Sequence, residues 1–255
     1  MATGIGAGIS PVFELKPGGG GAPPAYSNLY SMDFIAASSQ YLEASATPLL
    51  GAGGTGNFSI SFWFKADALS GANQRMISIG QSGTGSQFLL YINTSDKLAL
   101  AGPYTDTNTA LGVISAGTWY HVIYRVDKSI STNNVGWVVN GTIIDDKNEA
   151  AIATFVADGT TRIGRKTGTA QYFDGYMDEV SIFDKYLSNA ECVELYNSGT
   201  PTDLAASSMA ANLQHWWRMG DPNGISYYPT IPDAKGSITM TMTNMVAGNI
   251  QTDVP

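Results

Sequence analysis

Along most of this chain apolar side chains recur at every second position, in short runs. Phe58, Ile60, Phe62 and Phe64 line one face of such a run, while Ser59, Ser61 and Trp63 take the other, which is the period of a β-strand. Similar runs occupy residues 30–34, 40–44, 75–80, 87–93, 97–101, 119–126, 135–139, 142–145 and 160–164, divided by loops rich in Gly, Ser, Thr and Asp. Asn140-Gly141 stands between two of them and predicts a type I′ hairpin, because that turn needs positive φ at both central residues. Many short strands with almost no helical periodicity between them predict an all-β fold, an antiparallel two-sheet sandwich or jelly roll, and exclude a strand–helix alternation.

The stretch from Tyr172 to Glu191 adds detail. From Tyr176, strict alternation puts Tyr176, Asp178, Val180 and Ile182 on one face and Met177, Glu179, Ser181 and Phe183 on the other. Asp178 is therefore expected on the core face, where a carboxylate is costly without a partner, and Glu179 on the outer one. Ser188, with Glu191 three residues later, reads as a capping box that starts one short helix, stopped by Ser198-Gly199 and Pro201. Cys192 falls inside it as a small helix side chain.

Beyond Pro201 the pattern changes. Residues 203–212 are small and polar and are expected to favour a helix. Residues 213–219 hold Trp216-Trp217, and residues 237–243 alternate Ile238, Met240 and Met242 against Thr239, Thr241 and Thr243. The last run predicts a strand at a sheet edge, able to pair with another subunit. Residues 1–25 are Gly- and Pro-rich around a small apolar patch at Val12 and Phe13, the composition of a flexible tether. The expected organisation is an arm (1–25), a sandwich (26–200) and a C-terminal extension (201–255) that adds strands and an assembly contact.

Composition narrows the function classes. Of 255 residues, 44% are hydrophobic and only 13% charged, with a formal charge of -8, so solubility rests on uncharged polar groups. The 13 Lys and Arg are scattered, which sets nucleic acid aside. A single cysteine excludes an internal disulfide and a cysteine-based zinc cluster. No apolar run reaches the roughly 18 residues needed to cross a bilayer, and the opening residues lack the basic region of a signal peptide. The expectation is a soluble protein made in a cytosol without membrane insertion.

The order of these pieces resembles the concanavalin A-like lectin/glucanase superfamily, in its laminin G-like jelly-roll branch. The residues that carry the likeness are Phe58–Phe64, Trp119-Tyr120-His121-Val122, Val138-Val139-Asn140-Gly141, Arg162-Ile163-Gly164 and Phe173–Val180, followed by the Leu187-Ser188 helix start. The resemblance covers about residues 30–200 and implies two curved antiparallel sheets without implying one function. The tail, with Trp216–Asp221, Met242–Met245 and Asp253-Val254-Pro255, is similar to the ends of some marine bacteriophage structural proteins. That second likeness implies a structural or adhesion component of a virion: a capsid-surface, decoration or tail-fibre protein, homo-oligomeric, contacting other virion proteins and presenting its sandwich to host-surface glycan. The competing reading is a carbohydrate-binding lectin module acting in its own right.

Candidate chemistry is sparse. Retaining glucanases need two carboxylates about 5–5.5 Å apart, and no Glu-x-Asp-x-x-Glu occurs. The pairs Asp145-Asp146 and Asp178-Glu179 are adjacent, so alternation turns them to opposite faces, and no catalytic residue is expected. His121 and His215 read as hydrogen-bonded or packed structural residues. In the jelly rolls that the chain resembles, an aspartate placed like Asp178 can ligate a structural Ca2+, with Asp33 a conceivable partner; the alternative is that Asp178 accepts hydrogen bonds from a neighbouring loop. Tyr104, Tyr172, Tyr227 and Tyr228 lie in loop-like segments and are the candidate glycan-stacking residues. Val12, Phe13, Trp216, Trp217, Ile238, Met240 and Met242 are the candidate assembly contacts.

Overall fold

A computed structural model describes residue 1 and residues 26–48, 56–80, 87–101, 107–108, 113–148, 159–166 and 168–255. Val12, Phe13 and Tyr104 lie outside them. Among the described residues, sixteen strands form two antiparallel sheets. The first contains β1 (Ser31–Phe34), β3 (Phe58–Ala66), β8 (Tyr120–Val126), β9 (Val135–Val139), β10 (Thr142–Lys147), β12 (Gly175–Phe183), β13 (Leu213–Trp217) and β16 (Ile250–Gln251). Its order is β10-β9-β8-β3-β12-β1-β16, with β13 also paired to β12. The second contains β2 (Tyr41–Ala44), β4 (Gln74–Ile79), β5 (Phe88–Ile92), β6 (Leu98–Ala101), β7 (Thr107–Asn108), β11 (Thr161–Ile163), β14 (Thr230–Ile231) and β15 (Met240–Thr243). It runs β14-β15-β2-β11-β4-β5-β6-β7.

The period-two pattern explains how the sheets face each other. Phe58, Ile60, Phe62 and Phe64 enter one large core with Met76, Phe88, Leu90, Val122, Tyr124 and Trp137 from both sheets; each fully buried apolar side chain of this size contributes roughly 1.5–3 kcal/mol. The opposite face of the first sheet is covered as well. Helix α1 (Asn189–Tyr196) buries Cys192 and Leu195 there, together with Ile123, Val138, Phe183, Leu213 and Trp216. Ser188 caps that helix through the expected box with Glu191, and Asn140 and Gly141 have φ of 49° and 71°, as the hairpin requires.

The C-terminal segment belongs to the sandwich itself. It contributes strands to both sheets, so the five residues of this segment read as assembly contacts are used within the chain. Met240 and Met242 are buried in the main core with Trp217, Ile238 packs against that core, and Trp216 lies in the second cluster. The adjacent tryptophans thus fill two cores on the two faces of one sheet. Residues 203–212, expected to favour a helix, form turns: Ala206, Ala210 and Asn212 each donate a backbone N–H to the carbonyl three residues back, and Asp203 caps the turn through Ala205 N–H, as short polar side chains do.

Strand β12 departs from simple alternation. Its first half pairs with β1 (Met32↔Met177, Phe34↔Gly175), and its second half pairs with β13 (Val180↔Trp217, Ile182↔His215). Where one neighbour hands over to the other, the pairing with β3 shifts register between Asp178 and Ser181, and Glu179 takes a φ of 50°. This bulge adds a residue. Met177, Val180 and Ile182 therefore all reach the main core, whereas Asp178 pairs with Trp63 on the opposite face. The expected placing of Asp178 beside Val180 and Ile182, and of Glu179 outward, is corrected accordingly: Asp178 and Glu179 are 0% and 3% exposed, both beneath the chain around Tyr26–Tyr30.

Candidate functional site

Two groups of polar residues flank β12. At its beginning, three connections that each cross from one sheet to the other converge: β1 to β2, β3 to β4, and β11 to β12. Ala36, Ala68, Ser70, Ala72, Asn73, Gln74, Ala170, Gln171, Tyr172 and Asp174 line a pocket of about 370 Å³ between them. Its described wall residues are small alanines, a serine and amides with one aromatic ring and one carboxylate.

Internal bonds fix these side chains. Asp174 Oδ1 accepts the Ala36 N–H at 2.8 Å, joining the first and third connections. Gln74 donates to the Ala68 carbonyl at 2.7 Å and accepts the Asp174 N–H at 3.4 Å, joining the second and third. Gln171 Oε1 accepts Arg75 Nε–H at 2.8 Å, and that guanidinium lies 3.8 Å from the Tyr91 ring centre. Tyr172 is half-buried, 6.4 Å from Tyr41, with Arg165 above both rings at 5.3 and 4.8 Å. Gly175, just beyond, has a φ of 135°, and a Cβ there would meet the Lys65 carbonyl oxygen at 2.2 Å; only glycine lets β12 start this close to β3. The pocket thus stands on interlocked, preorganised loops, the arrangement that favours ligand recognition.

Four residues further along is the second group, at the handover from β1 to β13. Strand neighbours no longer serve the backbone here, and carboxylates replace them. Asp178 Oδ1 accepts the Glu179 N–H at 2.8 Å, and both oxygens of Asp221 accept the Leu29 N–H at 3.0 Å. Glu179 accepts from Trp216 Nε1–H, Tyr26 and the Arg218 guanidinium, the last two at 3.3 Å. Arg218 also lies over the Tyr26 and Trp216 rings at 4.7 and 4.9 Å. Burial raises the Asp178 carboxyl well above the usual range, and the Glu179 charge raises it further; Asn28 lies beside it and pulls the other way. Burial likewise pushes Glu179 up to about 7 against the pull of Arg218. Asp178 Oδ2 and both polar atoms of the Asn28 amide complete no well-aligned hydrogen bond.

The implied Ca2+ can be tested against this donor set. Calcium takes six to eight oxygens. The carboxylates of Asp221 and Glu179 are engaged by N–H and O–H donors, which leaves Asp178 Oδ2 and Asn28 Oδ1 as side-chain donors. Among the described residues no group of three or more His, Cys, Asp or Glu is arranged to hold a metal. The side chains do not fit the ion. Asp33 is not a partner of Asp178: burial lifts its carboxyl to about 6, helped by Asp67, Asp174 and Asp253 and opposed by Lys65, a different neighbourhood.

The remaining expectations fall as follows. Of the tyrosines, Tyr172 lines the pocket; Tyr227 packs against the main core; Tyr228 is 43% exposed and not among the pocket residues. His121 is buried, pairs with Ser61 Oγ at 2.8 Å and is pushed down to about 3 by burial, a structural role. His215 stacks on Trp217 at 5.6 Å and meets Asp233 at 2.6 Å. The amides Asn73, Gln74 and Gln171 were missed in the sequence, where isolated polar residues in loops carry no signal of convergence.

A family model described as the concanavalin A-like lectin/glucanases superfamily matches residues 36–192. No curated protein matches the chain. Among solved structures, a Bacteroides ovatus protein named for a proposed carbohydrate-binding role aligns over 90% of this chain with a TM-score of 0.65 and 20% identity; the chain spans 62% of that protein's length. A heptameric SAP-like pentraxin from Limulus polyphemus aligns over 66% of this chain and 82% of its own, with a TM-score of 0.52 and 15% identity. At these identities the likeness is one of fold. The family match spans more than half of the sequence and covers strands β2 to β12 of the sandwich, and the chain belongs to the concanavalin A-like lectin/glucanases superfamily.

Proposed function

We propose that this protein is a non-enzymatic carbohydrate-binding sandwich whose ligand site is the pocket at the start of β12. The observation that carries the reading is the convergence of Asn73, Gln74, Gln171, Asp174 and Tyr172 on one preorganised cavity. Amides and a carboxylate match the donor–acceptor character of sugar hydroxyls, and a tyrosine offers an apolar ring with a polar end. The fold shared with the Bacteroides ovatus protein supports it. Binding without hydrolysis is favoured because the described residues of the pocket wall include one carboxylate, Asp174, where glycoside hydrolysis uses two. The virion role expected from the tail has no support in the matches described above, and five of the candidate assembly contacts are taken into or against the chain's own core, so it is not adopted.

A glycan array followed by calorimetric titration tests the proposal. Saturable binding of at least one glycan is expected, weakened tenfold or more in Tyr172→Ala, a loss of about 1.4 kcal/mol, at an unchanged melting temperature. An array with no binding, or affinity indifferent to Tyr172→Ala, would overturn it.

A further inference from the structure

We propose that the pocket selects uncharged sugars and excludes uronic, sialylated and sulfated ones; this rests on the glycan-binding reading above and specifies its ligand class. Among the described residues the only charged one on the wall is a carboxylate, Asp174. Oδ1 of that carboxylate is held by the Ala36 N–H, and among the described residues Oδ2 has no hydrogen-bond donor, which leaves it to accept from a sugar hydroxyl. Two further carboxylates reinforce its sign. Asp67 donates its N–H to the Asp174 carbonyl at 3.1 Å, and its carboxyl is raised by burial and by the charge of Asp174; the carboxyl of Asp33 feels both.

The nearby cations do not offset this at the wall. Arg75 is turned to Gln171 and the Tyr91 ring. Arg165 lies over Tyr41 and Tyr172 and donates to the Thr169 carbonyl. Lys65 pairs with Asp253. Lys166 donates its backbone N–H to the Gln171 carbonyl at 3.3 Å, and none of the four is among the described wall residues. Recognition of a carboxylate or sulfate draws on charged donors presented directly to it, typically an arginine fork, and an anion entering here would give up its hydration to face Asp174. A neutral sugar meets the opposite situation: hydroxyls that donate to Asp174 and exchange hydrogen bonds with Asn73 and Gln171, beside small alanine walls.

The experiment is a titration of the intact chain with matched pairs, each a neutral oligosaccharide that binds on the array and its counterpart bearing a uronic acid, sialic acid or sulfate. The neutral member is expected to bind at least tenfold more tightly. Asp174→Asn should narrow that gap. Ala170→Arg, which adds a cation to the wall at an exposed position without removing the Asp174–Ala36 tie, should close or reverse it, and keeps the test decisive if Asp174→Asn fails to fold. Tighter binding of the acidic member, abolished by Tyr172→Ala, would overturn the selectivity while keeping the pocket. Binding that ignores Tyr172→Ala, or no binding, would overturn the pocket and the selectivity together.

Discussion

Asp174 and Asp178 lie four residues apart at the start of one strand, yet their surroundings give them opposite work. Asp174 sits at an opening between loops, partly exposed, with one oxygen committed and one available. Asp178 is sealed beneath the residues around Tyr26–Tyr30 and spends its ordered oxygen on the Glu179 N–H. Around the first, cations stand back from the cavity; around the second, Arg218 is drawn in among Glu179, Asp221, Tyr26 and Trp216. The same residue type becomes, on the proposed function, a ligand group or, at the second site, a backbone substitute, according to whether strand neighbours leave it facing water or a break in the sheet.

Removing the cation from the sealed group should break this contrast most severely. Arg218 is the only basic residue in contact with Glu179 and Asp221 among the described residues, and it donates to the Ser27 carbonyl as well. Truncating one member of a buried ion pair costs about 3–5 kcal/mol because the other charge is left uncompensated. Arg218→Ala is expected to lose that much in urea unfolding, while glycan affinity of the folded fraction is retained. A loss below about 1 kcal/mol would place the cluster among ordinary surface ion pairs.

The pH dependence sharpens the same contrast at a smaller scale. Burial raises Glu179 in the folded state to about 7 from 4.5, and Asp178 is raised too. Between those values the folded state holds more protons than the unfolded one, so stability contributed by this group is present at and below about pH 4.5 and falls as pH rises through 7. Asp233, held low by His215 and by backbone N–H groups against its burial, has the opposite sign, but its contribution is complete above the ordinary carboxylate range. Chemical denaturation at several pH values should therefore show wild-type stability declining between pH 5 and 8, with the raised Asp33 carboxyl adding to the decline, and a flatter profile in Glu179→Gln. Equal slopes in the two proteins would remove Glu179 as the cause.

The sequence shows local order well and junctions poorly, and these two carboxylates mark the boundary. Phe58–Phe64, the Asn140-Gly141 turn and the Ser188–Glu191 cap are legible because each needs only neighbours along the chain. The bulge at Glu179 is not: its cause is the handover of β12 from β1 to β13, strands some 180 residues apart, while the local letters alternate without a break. Ile238, Met240 and Met242 declare an apolar strand face, but periodicity cannot say whether the surface that covers it belongs to the same chain. Here β15 pairs with β2 and the methionines close the chain's own core. Tyr172 could be picked out as an aromatic in a loop, whereas its pocket partners at Asn73 and Gln74 come from a connection about a hundred residues earlier.

The smallest expected effect completes the contrast from the side of the pocket. Asn73 is half-exposed on the wall, outside the three hydrophobic clusters of the described residues, so truncation leaves neither a cavity in the core nor a buried charge. Asn73→Ala should change unfolding free energy by no more than about 0.5 kcal/mol, the range of surface substitutions free of such features. Its amide nevertheless offers a donor and an acceptor to the cavity, and losing one hydrogen bond to a neutral hydroxyl costs about 0.5–1.5 kcal/mol. Titration with an array-positive glycan should accordingly show affinity reduced about two- to tenfold with the melting curve superimposed on wild type. A shifted melting curve with unchanged affinity would assign Asn73 to the scaffold and leave Tyr172, Gln171 and Asp174 as the binding wall.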